Sequence, residues 1–301
     1  MSCQRRAPTQ WHSHCDVLPT ELLDAEGVIL GRMGGMTENL RWWDERARLH
    51  GDDPVYDTSA FLTGHSTLYA IDHETTGEVT GQDVIHLQCH TGMDTLSWLR
   101  AGACRVVGVD FSPVAIDKAT ALAQSAGLAD RAQFHVADAL DLPRDLRGCF
   151  DVCYASRGVL CWIDDLDQWM RQAAGVLRPG GRLALIDMHP LFLMADSVDP
   201  LVFDFPYAAD GPQRFDDQAG SYAAIDATTE HNSTTEYGHS LAEVVTAAIA
   251  AGLTIDQLGE HLAVETDGPR GLATREGDGL MRWRYTGQPL PIMFSLRALK
   301  A

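Results

Sequence analysis

The chemistry of this 301-residue chain gathers at two acids, one turn and a few histidines. Asp110 and Asp138 each close a short apolar run. An ionised carboxylate in such a place accepts two hydroxyl hydrogen bonds at once, which is how a vicinal diol is held. The turn Gln88-Cys89-His90-Thr91-Gly92 precedes Asp110 by about twenty residues, the spacing of a nucleotide-type βαβ unit. A dinucleotide turn wants three glycines so that backbone can approach a pyrophosphate, and this one has a single glycine and no Lys after it. A ligand with a ribose but no phosphate fits better. Two histidines stand where a proton could be taken. His189 follows an apolar run in Asp187-Met188-His189-Pro190, and His239 lies next to Ser240-Leu241-Ala242-Glu243 with Tyr237 close by. Imidazole titrates near neutrality, and each ring is read either as a general base or as a structural histidine. His86 and His90 lack a third metal ligand nearby in sequence, so no metal is expected.

The elements that must position these residues alternate regularly. Val84 to Cys89 reads as a strand, followed by a helix with Leu96 and Leu99 inward and Gly102 at its C-cap. Cys104 to Val109 is a second strand ending on Asp110. Ser112 is a plausible N-cap with Pro113 in the first turn, and Gly127 ends that helix. Ala132 to Ala137 and Phe150 to Ala155 continue the strands, and Ser156 to Trp162 follows the latter. Leu166, Trp169, Met170, Ala173, Val176 and Leu177 form one helical stripe, broken at Arg178-Pro179-Gly180-Gly181 before a strand from Arg182 to Met188. Thr254 to Leu258 and Pro291 to Leu296 close the chain as strands, with a glycine-rich loop, Gly268 to Gln288, between them carrying Trp283 and Tyr285. Strands and helices in this rhythm predict an α/β fold with a doubly wound, mostly parallel sheet, and ligands at the C-terminal strand tips.

Residues 83–112 resemble motifs I and II of the class I S-adenosylmethionine (SAM)-dependent methyltransferases, V-L-D-L-G-C-G-T-G-x-x-T-L followed by x-V-x-G-V-D-x-S. Val84, Leu87, Cys89, Thr91, Gly92, Thr95, Leu96, Gly108, Val109, Asp110 and Ser112 agree. His86 replaces the usual acid, and Gln88 and His90 replace the first two glycines; a bacterial subgroup of small-molecule methyltransferases is similar in reading H-L-Q-C-H here. The resemblance, extending from about Asn39 to the C-terminus, implies a seven-stranded Rossmann-like sheet with an antiparallel pair at one edge, and SAM as cofactor. It implies Asp110 on the ribose diol and Asp138 with the backbone of Ala139 on the adenine, with Phe111 and Trp162 flanking the ring. Backbone of Cys89 to Gly92 and Ser156 would hold the methionine end, with Gln88 and His90 adding side chains and Ser112 close beside the diol acid. His86 is left between a structural hydrogen bond and ligand contact. The helix Asn39 to Ala47, with Trp42 and Trp43, is either a core helix or an N-terminal lid that puts Trp43 on the cofactor; Phe61 to Gly64 would lie on the same face.

Composition narrows the class. The chain is 45% apolar, enough for a large core. Its formal charge of −19 repels phosphate backbones and anionic membrane surfaces, so neither nucleic acid nor membrane is an expected partner. There is no 18-residue apolar run, and the seven cysteines form no C-x-x-C pair, so a cytoplasmic location with reduced thiols is expected. Residues 1–80 read as a tail and helical lid, His12, His14 and Cys15 belonging to the tail, and 81–301 as the SAM-binding domain. Within it, 190–238 interrupts the rhythm with four prolines, seven aromatics and seven Asp plus two Glu against one Arg. Insertions of that length are usually functional or disordered, and its aromatics suggest a substrate cover. The expected activity is methyl transfer to N or O of a small molecule, a natural-product or metabolic intermediate, by a monomer or homodimer. The rival readings are a SAM-fold enzyme with non-methylating chemistry and a non-catalytic SAM-binding regulator or subunit.

Overall fold

Continuous apolar runs build a sheet that is buried on both faces, the arrangement expected where helices cross between parallel strands. The computed structural model of the protein describes residues 28–51, 53, 55–266 and 272–301; His12, His14 and Cys15 lie outside them. Three helices come first: α1 (Val28–Leu49), α2 (Thr58–Leu62) and α3 (Ala70–Thr76). The alternating unit follows as β1 (Asp83–Leu87), α4 (Met93–Arg100), β2 (Arg105–Asp110), α5 (Pro113–Ser125), β3 (Ala132–Val136), β4 (Phe150–Ser156), α6 (Leu166–Val176) and β5 (Leu177–Met188). Next come α7 (Pro190–Leu193), the hairpin β6 (Ala195–Val198) and β7 (Leu201–Phe203), and the hairpin β8 (Gln213–Phe215) and β9 (Thr234–Glu236). The chain ends with α8 (Leu241–Ala250), β10 (Leu253–His261), β11 (Thr274–Arg275), β12 (Met281–Tyr285), β13 (Gln288–Leu290) and β14 (Met293–Lys300).

Seven strands form the main sheet in the order β10-β14-β5-β4-β1-β2-β3; a seven-stranded, mostly parallel sheet is what the sequence pattern and its resemblance predict. All neighbours are parallel except at β14, which runs antiparallel to both β5 and β10. Successive side chains on a strand face opposite ways. Val84, Val106, Val152, Ala184 and Ile186 therefore pack on Leu96 and Leu99 of α4 and Leu122 of α5. Ile85, Val107, Cys153, Leu183 and Leu185 pack on Trp169, Met170 and Ala173 of α6 and Val244, Ala247 and Ala248 of α8. Strand order reverses between β1 and β4, and the loops leaving these two strands open a crevice at their carboxyl ends, where open α/β sheets bind ligands.

Three sequence expectations are corrected. The stretch from Gly268 to Gln288, expected as a loop for its glycines, instead carries the three-stranded sheet β11-β12-β13 over its described part. Trp283 anchors that sheet, fully buried with its ring 5.3 Å from Phe192. Strand β5 begins at Leu177, so the Arg-Pro-Gly-Gly stretch lies within the strand rather than before it. Among the cysteines, Cys89, Cys149, Cys153 and Cys161 are free thiols, whereas Cys104 is disulfide-bonded.

Candidate functional site

The retained glycine of the first turn is there for packing. Gly92 has φ +76, and a Cβ on it would lie 2.7 Å from Ala119 and 2.8 Å from Phe134. On β2, a Cβ on Gly108 would lie 2.6 Å from the same phenylalanine. These close approaches seat α4 and α5 on the sheet and fix the loop after β1. The two positions where the motif usually has glycine still take the left-handed conformation, with Gln88 at φ 56 and His90 at φ 48. A non-glycine residue there costs on the order of 1–2 kcal/mol, and such strain persists only where surroundings over-determine it. Here they do. Gln88 Nε2 donates to the Val159 carbonyl (2.9 Å) while its Oε1 accepts from Trp169 Nε1 (2.9 Å). His90 N donates to Asp110 Oδ2 (2.8 Å).

Two contiguous cavities, enclosing about 620 and 750 Å³ including their mouths, share Gln88, Asp110, Phe111 and Trp162 as walls. Asp110 sits at their junction, 6% exposed, with Oδ1 accepting from Ser112 N (2.9 Å) and Oδ2 from His90 N. Burial lifts its carboxyl to about 6, against the pull of these backbone N–H groups. The first cavity continues along Ala137, Asp138, Ala139, Leu140, Asn39 and Tyr237. Asp138 also accepts from Leu140 N (2.9 Å), so it shapes its own turn as well as facing the cavity. The second runs past Trp43, Tyr56, His86, His90, Ser156, Arg157 and Tyr222. Beneath it, Arg157 (φ 58) is paired with Asp72 (2.7 Å) and Asp94 (2.5 Å). His86 hydrogen-bonds Thr95 Oγ1 through Nδ1 (2.8 Å), but its buried Nε2 has no partner, and burial pushes the ring down to about 3. Asp187 orders the loop after β4, accepting from the backbone of Gly158, Leu160 and Met188.

The roof is α1 together with the hairpin β8–β9. Asn39 pairs reciprocally with the backbone of Thr235, Nδ2 to its carbonyl (2.7 Å) and Oδ1 from its N–H (2.8 Å). Trp42 Nε1 donates to the Gln218 carbonyl (3.1 Å). Arg46, fully buried, is the clasp. Its Nε donates to the Gly220 carbonyl (2.9 Å) and its Nη2 to the Gln218 carbonyl (2.5 Å), Thr229 Oγ1 and Asn232 Oδ1. Trp42 is buried, while Trp43 lines the second cavity, 5.4 Å from Trp162 and 5.3 Å from His90.

Of the residues expected on the cofactor, Trp43, Gln88, His90, Asp110, Phe111, Asp138, Ala139 and Ser156 line the cavities. Gly92 and Ser112 do not. Gly92 is walled off by Ala119 and Phe134, and Ser112 is fully buried, capping α5 at Ala115 N (3.1 Å) and donating to Asp44 (2.6 Å). Gln88 is a wall whose amide is already spent on Val159 and Trp169. Neither expected base lines either of these two cavities. His189 Nδ1 accepts from Leu191 N (3.1 Å), so its proton is on Nε2, which donates to Glu260 (2.9 Å); no lone pair remains for a substrate proton. His239 Nε2 donates to the Ile163 carbonyl (2.7 Å) and ties the end of the insertion to the loop before α6. Sequence reading missed His50, Tyr56, Asp94 and Arg157, which no spacing rule links to the turn at 88–92. Among the described residues no group of three or more His, Cys, Asp or Glu could hold a metal, and no helix is long and apolar enough to cross a membrane.

The donor set fits SAM: a buried two-oxygen acceptor for a diol, an aromatic-flanked slot beside it, and an orphaned imidazole nitrogen at the polar end. Residues 84–181 match the family model of a methyltransferase domain. The chain is 36% identical over 181 residues to the 27-O-demethylrifamycin SV methyltransferase of Amycolatopsis mediterranei, covering 58% of this chain and 61% of that one. It is 36% identical over 108 residues to the methyltransferase GfsG of Streptomyces halstedii, covering 36% and 38%. It thus spans about three fifths and two fifths of these relatives. A SAM-dependent methyltransferase structure from Mesorhizobium loti superposes with a TM-score of 0.55 at 19% identity, over 79% of this chain and all of that one. The chain has the fold of the SAM-dependent methyltransferases.

Proposed function

We propose that this protein is a SAM-dependent methyltransferase that alkylates an oxygen or nitrogen of a small molecule, with residues 190–238 and α1 covering the acceptor. The observation that carries the reading is Asp110. It is a buried carboxylate at the tip of β2, both oxygens fixed by backbone N–H groups, at the junction of two cavities beside the point where strand order reverses. In this reading Asp110 takes the ribose diol, and Asp138 with the backbone of Ala139 takes the adenine between Phe111 and Trp162. The backbone of the turn at 89–91 with Ser156 holds the methionine end, near the unpartnered Nε2 of His86. When bound, SAM supplies an electrophilic methyl group. The chain's own part is to hold an acceptor atom in line with it, and such positioning supplies up to about 7–11 kcal/mol of the barrier. The roof of Trp43, Tyr56 and Tyr222 excludes water from the second cavity. The relative acting on 27-O-demethylrifamycin SV supports a small hydroxylated acceptor. The test is mass spectrometry of the purified protein with SAM and a panel of hydroxyl and amine compounds. The reading predicts an acceptor gain of one methyl with matching release of S-adenosylhomocysteine; acceptor conversion without that mass gain would contradict it.

A further inference from the structure

A chain of hydrogen-bonded side chains leads from the second cavity into the roof. His50, just past the end of α1, and His90, in the turn after β1, are joined Nδ1 to Nε2 at 2.8 Å. The other nitrogen of His50, Nε2, lies 2.6 Å from Ser221 Oγ. Ser221 also accepts from Ala223 N (3.2 Å) and is 6% exposed. The serine is put there by a tight turn: Gly220 has φ +71, a Cβ on it would lie 2.4 Å from the Ile225 carbonyl oxygen, and its own carbonyl is gripped by Arg46. Tyr56 stacks on His50 at 4.5 Å, and its hydroxyl is bonded to that of Tyr222. His90 lines the cavity, and its Nδ1 has no hydrogen-bond partner among the described residues.

We infer that His90 is the catalytic base of this site and that its substrate is a neutral hydroxyl compound, which must lose a proton to be methylated; this rests on the methyltransferase reading. The tautomers decide the direction. Ser221 Oγ is assigned as acceptor from both Ala223 N and His50 Nε2–H, which leaves His50 Nδ1 as an acceptor; the reverse order, with Ser221 Oγ–H donating to His50 Nε2, would instead put a proton on His90 Nδ1. In the assigned order His50 Nδ1 receives His90 Nε2–H, and His90 Nδ1 presents its lone pair to the cavity. As the acceptor oxygen forms its bond to the methyl carbon and the carbon–sulfur bond breaks, the hydroxyl proton moves to His90 Nδ1. The Nε2 proton passes to His50 Nδ1, and the positive charge comes to rest on the His50 ring, whose Nε2–H still donates to Ser221 Oγ; the serine takes no proton. The sulfonium charge disappears in the same step, so the proton released replaces a charge already present. His50 and Ser221 touch no substrate and are positioning residues. The charged and titratable groups around the pair are Arg46 and Asp53 near the end of α1, Lys118 of α5 with Nζ on the His50 carbonyl (2.6 Å), Tyr56, and Tyr222 from the insertion. Burial holds both rings below the usual histidine range, His50 at about 4, so the relay is neutral and ready to accept at physiological pH.

The test uses His90→Gly, His90→Asn and His50→Gln. Glycine and asparagine both accept the left-handed backbone at 90, so these variants should fold. First, imidazole 15N NMR of the full chain loaded with S-adenosylhomocysteine should show His90 protonated on Nε2 and bare on Nδ1; a proton on Nδ1 would overturn the assignment. Second, the variants should bind S-adenosylhomocysteine within about threefold of the native protein while turnover of hydroxyl acceptors falls about 10²- to 10⁴-fold for His90→Asn. His50→Gln should lose about 10-fold or more in kcat at unchanged KM and shift the acid limb of the pH profile. Native-like turnover in His90→Gly, or a loss of affinity instead of turnover, would overturn the base and leave the methyltransferase reading standing. Failure of the native protein to bind S-adenosylhomocysteine would overturn both.

Discussion

At the scale of single residues, the site is built from side chains in places the backbone would rather give to glycine. Gln88 and His90 keep the left-handed turn because their side chains are tied to Val159, Trp169 and His50, and the strain marks a functional position. Asp110 carries the first prediction. Losing a charge-assisted acceptor for two hydroxyls costs about 1.5–3 kcal/mol per bond, so Asp110→Asn should weaken S-adenosylhomocysteine binding about 100-fold or more by calorimetry. The pH dependence follows from the carboxyl raised by burial to about 6. The diol needs the ionised form, so affinity should be full above about pH 7 and fall about tenfold per pH unit below 6. Ligand-free stability should respond oppositely at this group. Its folded value lies above the unfolded one, so its contribution is fully present below about pH 4 and is lost as pH rises through 6. His189→Ala should cost about 1 kcal/mol in urea unfolding through the lost cap at Leu191, and leave turnover near native. A large fall in kcat with stability intact would restore His189 as the base.

Among the elements, α1 decides whether the site exists. It has little amphipathic pattern, because its buried groups are polar: Asn39 and Arg46 serve the backbone of the 218–235 segment in place of a partner strand. Replacing Arg46 with Met would strand several buried carbonyls, each worth about 1–3 kcal/mol when unsatisfied. The expected result is a clear drop in Tm and faster proteolytic cleavage between 213 and 236, with Gly92→Ala as a contrasting lesion. That variant strikes the α4–α5 seam rather than the roof, and should destabilise by about 2 kcal/mol or more without first freeing the hairpin. These elements also show what the sequence made legible. The β1–β5 unit could be read because its strands are continuous apolar runs and Ser112, Pro113 and Gly102 punctuate its helices. Asp110 and Asp138 could be read because strand-end acids in such a unit have a fixed address. The sheet β11–β13 could not, since its glycines masked short strands anchored by one tryptophan. His50, Tyr56 and Tyr222 escaped because they meet His90 only through the docking of α1 and the insertion, and no periodicity carries contacts of that separation.

Taken as a whole, the molecule is a parallel sheet whose switch point is covered by two segments from opposite ends of the domain's sequence. Phe111 and Trp162 face both cavities, so cofactor and acceptor would share walls, and filling one should order the other. Hydrogen exchange with S-adenosylhomocysteine added is therefore expected to slow in α1 and in the 213–236 hairpin, beyond the loops that line the first cavity. Protection confined to the loops after β1 and β2 would deny the roof its role. The central claim is that Asp110 anchors SAM at the switch point, and calorimetric titration of the native chain and of Asp110→Asn with S-adenosylhomocysteine tests it most directly. The account predicts one site per chain in the native protein and a fall in affinity of about 100-fold or more in the variant. Absence of binding to the native chain, or equal binding by both, would contradict it.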